Sequence, residues 1–258
     1  MCLILFGYQT HPDYSLIIAA NRDEFHSRPA SPLNFWPDAP HVLAGRDLEA
    51  GGTWLGCSAT GRFAALTNFP TGDPKPNLLS RGNLPADFLK SNLSSEAFAA
   101  DIQFSAYQGF NLLLFDGNSL VYTSNQLPAA DRIQSLSQGY YGLSNAELGA
   151  TWPKCVNGAA QLARIAQQQG GVEDMLALLR SEVIPPDEEL PQRGRDIDFE
   201  RQVAPCFINA DTYGTRASTV VMLNAQALKV IERTFGAAGS TGGESTFVLD
   251  LTASTDGR

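Results

Sequence analysis

Two apolar runs open the chain. CLILFGY spans residues 2–8, YSLIIAANRDEF spans residues 14–25, and the turn-forming QTHPD lies between them. This pattern predicts a β-hairpin that begins at the second residue, where chain ends are usually loose. Residues 27–40 carry four prolines and are expected to be irregular. GGTWLGCSATGRFAALTNFP reads as a second hairpin, followed by a loop over residues 70–80. Short helical patterns follow at LPADFLK and SSEAFAADI, with Ser94 or Ser95 as the cap of the second. FNLLLFDG, LVYTSN and YYGLSN are strand-like, with Gly117-Asn118 suited to a tight turn between the first two.

WPKCVNGAAQLARIAQQQ and VEDMLALLRSEV predict two helices parted by Gly170-Gly171. Residues 184–198 have the composition of a long exposed loop, a candidate cover for a cleft. YGTRASTVVMLN, LKVIERTF and STFVLDL are the last strands, and residues 252–258 are expected to fray. With no internal repeat or linker, residues 1–251 are expected to form a single domain. Short turns between strands predict mainly antiparallel sheets. Helices segregated from such sheets give an α+β, layered architecture. A dinucleotide-binding reading fails, because no G-x-G-x-x-G follows a strand and opens a helix.

Composition narrows the function. The chain has 258 residues, 43% of them hydrophobic, and a formal charge of -9. Only four of its 18 basic residues are lysines and none forms a basic run, so nucleic-acid binding and attachment to an anionic membrane are not expected. No apolar stretch approaches the roughly 18 residues of a membrane span. LILF is too short for a signal-peptide core, so the expected compartment is the cytoplasm. Cys2, Cys57, Cys155 and Cys206 are widely spaced, which argues against a zinc site or a disulfide framework.

Candidate chemistry centres on Cys2. Removal of Met1 would leave its α-amine free, titrating near pH 7.7–8.0 and able to act as base toward its own thiol. The alternative is a small buried apolar residue. Asn21 to Glu24, the NRDE at the end of the second predicted strand, are costly to bury unless paired, and the hairpin brings them near Cys2. An arginine there lowers a thiol pKa and a carboxylate can accept the amine's hydrogens. Strand alternation places Arg22 and Asp23 on opposite sides, and a structural Arg–Asp pair is the competing reading. Asn68 and Asn145 also end apolar strands. Each suits an oxyanion donor, although taken alone turn formation is the commoner role of such an asparagine. Arg216 could bind an anion, tune a thiol or form a salt bridge. His11, His26 and His41 show no metal-ligand spacing, although His26 lies close enough to Glu24 to remain open as a partner for the cysteine.

Together, MCLILFGY, AANRDEF, GGTWLG and GRFAALTNFP resemble the NRDE family, also called the Transport and Golgi organisation 2 family, with YGLSN and YGTRAST fitting its later part. That family in turn resembles the cysteine N-terminal nucleophile hydrolases of the bile salt hydrolase and penicillin V acylase branch. The resemblance implies a four-layer αββα sandwich and cleavage of a linear amide or ester of a small acylated molecule, with no cofactor or metal required. It assigns Cys2 as nucleophile, Arg22 and Asp23 as the site pair, Asn68 and Asn145 as site amides, and Arg216 as the late arginine. One departure is that Arg22 and Asp23 are adjacent here, whereas the amidases separate that pair by two residues. The family's links to haem trafficking, lipid homeostasis and Golgi phenotypes imply an alternative, a non-catalytic haem or acyl-lipid carrier using the same cleft, with Cys2 or a loop histidine as iron ligand. The expected partner is a small molecule. The oligomeric state is not readable.

Overall fold

The computed structural model describes residues 2–72 and 76–252. In chain order the strands are β1 (Cys2–Tyr8), β2 (Leu16–Phe25), β3 (Ala30–Trp36), β4 (Ala39–Asp47), β5 (Leu55–Ser58) and β6 (Phe63–Asn68). Helices α1 (Asn83–Lys90) and α2 (Ser95–Asp101) precede β7 (Phe110–Phe115), β8 (Leu120–Ser124), β9 (Ile133–Ser135) and β10 (Gly139–Leu143). Helices α3 (Pro153–Gln167), α4 (Val172–Leu179) and α5 (Ile197–Val203) lead to β11 (Tyr213–Leu223), β12 (Ala227–Phe235) and β13 (Thr241–Asp250).

Two antiparallel sheets result, with orders β10-β1-β2-β11-β12-β13 and β3-β4-β5-β6-β7-β8-β9. Three apolar cores separate four layers. One core lies between the sheets and includes Ile4, Phe6, Ile18 and Ala20. A second joins Leu3, Leu5, Ile17 and Ala19 to Leu162 of α3 and Met175 of α4. The third packs Leu84 and Phe88 of α1 and Ala99 of α2 onto the far sheet. This is an αββα sandwich. The β1 and β2 runs are continuously apolar because both of their faces are covered.

Local chemistry fixes the helix ends. Ser94 Oγ accepts the Ala97 N–H at 3.1 Å, which settles the cap of α2. Pro153 opens α3, where its missing N–H costs nothing. Asp174 reaches back to the Gly171 N–H at 2.8 Å before α4. No described helix is long and apolar enough to cross a membrane.

Two expectations need correction. Residues 27–40 are not irregular, since they contain β3 and the start of β4. β3 is an edge strand and its register shifts between Ser31 and Asn34, so Pro32 sits where no ladder hydrogen bond is needed. Residues 184–198 do not cover the inter-sheet cleft. Pro185, Pro191 and Arg193 gather instead around Trp152 and Pro153 at the start of α3. Of the expected tail, residues 253–258 lie outside the described residues.

Candidate active site

Strand register builds the site. Cys2 pairs with Arg22 across the β1–β2 hairpin. Alternation places both on the face of Ile4, Phe6, Ile18 and Ala20, between the sheets. A cleft of about 650 Å³ opens there, with Cys2, Arg22, Trp54, Leu66, Asn68 and Arg81 among its walls. That volume suits a small-molecule ligand.

One side of Cys2 is a neutral network. The Cys2 backbone N–H donates to Asn145 Oδ1 at 3.1 Å. Asn145 Nδ2 donates to the Asn68 carbonyl at 2.6 Å, and Ser144 Oγ donates to the Cys2 carbonyl at 2.7 Å. Asn111 backs this segment from β7. Its amide donates to Ser144 O at 3.3 Å, Ala146 O at 2.8 Å and Thr67 Oγ1 at 3.1 Å, bracketing Asn145. Thr67 Oγ1 donates to Ser144 O, and Tyr122 donates to Asn111 Oδ1 at 2.8 Å. Asn111, Thr67, Tyr122 and Ser144 are all buried, so their mutual bonds offset a desolvation cost that would otherwise stand.

The other side is charged. Arg22 lies 3.9 Å from Asp47, which Arg28 also engages at 2.6 Å. Asn21 faces away from the cleft, toward the helices, and Asp23, of the same parity, stays at the cleft edge. Asn21 donates to Leu179 O at 2.9 Å and Cys206 O at 2.7 Å, and so ties β2 to the end of α4. Asp23 Oδ1 accepts from Thr215 Oγ1 at 2.7 Å. Burial raises the Asp23 pKa, while the nearby Lys154 and Arg22 charges and the Thr215 bond pull it down. Lys154 is itself buried, with Nζ on the Val203 carbonyl at 2.8 Å.

Arg22 lowers the thiol pKa as expected, but the net shift is upward. The Cys2 residue keeps partial exposure, but its sulfur is enclosed, and burial raises its pKa with the Asp23 charge adding in the same direction. Arg22 and a hydrogen bond from the Asp23 backbone N–H pull down, and burial outweighs them. The resting thiol is therefore neutral.

All six residues singled out from the sequence gather around this cleft, in different roles. Asn145 has both of its amide groups engaged within the protein, so it holds the Cys2 nitrogen rather than offering a free donor. Asn68 is exposed, and its side-chain amide makes no hydrogen bond among the described residues, which leaves it open to a ligand. Arg216 is the bulged residue of β11, between Thr215 and Ala217. Instead of a salt bridge, its Nη1 donates to the carbonyls of Phe25, His26 and Arg28 at 2.9, 3.2 and 3.1 Å. None of the histidines lines the cleft, and His26 Nε2 is bonded to Ala210 O at 3.0 Å. Among the described residues no group of three His, Cys, Asp or Glu is placed to hold a metal ion.

Sequence reasoning missed Arg81, Asn111, Ser144 and Glu232. Asn111 interrupts the apolar strand FNLLLF, and that isolated polar residue was the available signal, whereas Glu232 opens the polar ERT of ALKVIERTF and does not stand out. Glu232 is buried between the sheets, accepting from the Leu33 N–H at 2.7 Å and Thr219 Oγ1 at 3.3 Å, and burial raises its pKa. Arg81 left no signal, since it sits in a loop.

Comparison with known proteins agrees with this architecture. The family model described as Transport and Golgi organisation 2 matches residues 1–237. A Transport and Golgi organization protein 2 homolog from Bos taurus is 36% identical over 249 residues, covering 87% of this chain and 89% of the bovine protein. Transport and Golgi organization protein 2 from Drosophila melanogaster is 30% identical over 256 residues, covering 88% and 89%. Among solved structures, the Caenorhabditis elegans ortholog of N-acylethanolamine-hydrolyzing acid amidase superposes with a TM-score of 0.51 at 12% identity, over 86% of this chain and 92% of that one. The shared fold is that of N-terminal nucleophile hydrolases.

Proposed function

The chain belongs to the Transport and Golgi organisation 2 family, and we propose that it is an N-terminal cysteine hydrolase cleaving a linear amide or ester of a small acylated molecule. The observation that carries this reading is the Cys2 nitrogen held by Asn145 at 3.1 Å at the wall of an inter-sheet cleft that the same residue lines. Once Met1 is removed, that nitrogen is an amine already oriented beside its own thiol.

The attack begins with transfer of the thiol proton to the Cys2 amine as the sulfur–carbon bond forms. The exposed Asn68 amide donates to the carbonyl oxygen as negative charge develops on it. Collapse of this adduct breaks the bond to the leaving nitrogen or oxygen, which takes the proton from the ammonium. Water then gives a proton to the amine as it attacks the thioester. The acid leaves, and the thiol and amine are restored. Arg22, opposite Cys2, favours the developing thiolate.

The test is turnover of activated acyl esters and N-acyl amides by chain whose N-terminal residue is known from mass spectrometry. Cys2→Ala should lose turnover and keep its melting temperature. Full activity in that variant sinks the reading.

The neutral resting thiol also supports a second reading, in which the same cleft carries an acyl lipid without chemistry. A haem cargo has less support, because Cys2 is the one thiol and no histidine stands among the cleft residues. A carrier releases its ligand unchanged and in stoichiometric amount. Four free cysteines suit a reducing compartment, consistent with the cytoplasm.

A further inference from the structure

The guanidinium groups around the cleft fall into two kinds. Arg22, Arg28 and Arg46 each have a carboxylate within 4.0 Å. Arg81 and Arg216 line the same cleft and have none among the described residues. Arg81 spends one N–H group on the Gly109 carbonyl at 3.0 Å. Arg216 spends Nη1 on three carbonyls, and its Nε is buried with no partner. Glu24, in the same cleft, acts on both at longer range, and a cation kept partly out of water without a carboxylate in contact is costly. In a chain of net charge -9, carboxylates to pair with it were not scarce.

Both arginines are held in place by backbone. Gly52 and Gly82 meet so closely that a Cβ on Gly52 would lie 2.4 Å from the Gly82 carbonyl, and Thr53 N–H donates to Gly82 O at 3.1 Å. Leu79 N–H donates to Ala106 O at 2.9 Å on the other side. The loop carrying Arg81 is thereby clamped at both ends beside the cleft that Cys2 also lines. The bulge on β11 aims Arg216 from the opposite sheet.

We infer that Arg81 and Arg216 form a subsite for an oxyanion, and that the ligand is an acylated molecule carrying a carboxylate or phosphate. The proposal rests on the cleft being the binding site of the preceding section, and not on turnover. The anion supplies a direct counter-charge, which neither arginine has among the described residues. Trp54, Leu66 and Phe235 give the same cleft apolar wall for an acyl chain, and the exposed Asn68 amide is left for the carbonyl between them.

The test uses full-length Cys2→Ala protein, so that ligand is bound and not consumed. Calorimetric dissociation constants are compared for N-decanoylglycine, its neutral N-methylamide and decyl phosphate. The anionic probes should bind about tenfold or more tighter than the neutral one, as expected for a charge-assisted pair. Raising the salt concentration should shrink the gap. The carboxylate and phosphate arms identify which oxyanion the subsite prefers. In Arg81→Gln the gap should close and Arg81→Lys should restore part of it, with unchanged circular dichroism in both. Arg81 is the primary variant because Arg216 also ties the end of β2. Equal affinity for charged and neutral probes, an unchanged gap in Arg81→Gln, or no saturable binding of either anionic probe overturns the inference. Selective anion binding by a chain that hydrolyses nothing would overturn only the hydrolase reading.

Discussion

The two flanks of Cys2 are both buried and polar, yet they work by different physics. On the Asn145 side every group is neutral and its partners are hydrogen-bond donors and acceptors at fixed distances. On the Arg22–Asp23 side the groups are ionisable, and burial competes with neighbouring charges over their protonation. The neutral flank fixes where the Cys2 nitrogen sits. The charged flank sets which protons are on. Neutral amides hold geometry at little cost when fully bonded, whereas buried charges respond to pH and ligands.

The largest expected effect comes from breaking the neutral flank. Asn111→Leu leaves Ala146 O without its donor and the Tyr122 hydroxyl without its acceptor, while Ser144 O keeps only the Thr67 hydroxyl. At about 1–3 kcal/mol for each unsatisfied group, urea denaturation should show a loss of several kcal/mol. If the protein is a hydrolase, kcat should fall more than KM rises, because Asn111 touches no ligand. An unchanged denaturation midpoint would show that the network is not what holds Asn145.

Breaking the charged flank should give a smaller effect, and one that depends on pH. Glu232 has a raised pKa in the folded chain, so the unfolded chain releases its proton first as pH rises. Its contribution to stability is fully present below the ordinary carboxylate range and is lost as pH climbs toward the raised folded value. The stability of Glu232→Gln relative to wild type should therefore increase from pH 4 upward and then level off. A constant difference across pH would mean that Glu232 is ordinary in charge and acts only as the acceptor for Leu33.

Thiol labelling changes no stability and sharpens the same contrast. Burial pushes Cys206 up to about 11 and Cys155 up to about 12, and Cys57 is fully buried. Cys2 should be alkylated first in the native state. Its rate should still be rising at pH 9, because its own pKa is raised. Peptide-resolved mass spectrometry during timed alkylation reads this, and reports whether Met1 is present. A rate that levels off near neutral pH would mean that Arg22 and the free amine outweigh burial after all.

The sequence by itself determined the β1–β2 hairpin, the placement of Cys2 beside NRDE, the layered α+β class and the family. Each rests on local pattern: an apolar run, a turn signal, a period of two, a motif. Only the tertiary structure decided that Arg22 points between the sheets while Asp23 sits at the cleft edge against Thr215, because parity gives opposite sides without saying which is which. It decided that Asn145 orients the nitrogen and Asn68 stays free, since both read identically as strand-end amides. It made the net Cys2 shift upward, because burial outweighs the Arg22 charge that the hairpin places beside the thiol. It turned the proline-rich stretch into an edge strand, where missing N–H groups cost nothing. It brought Arg81 to the cleft that Cys2 lines, from a loop that no periodicity marks, because contacts between elements distant in sequence are set by how the layers close.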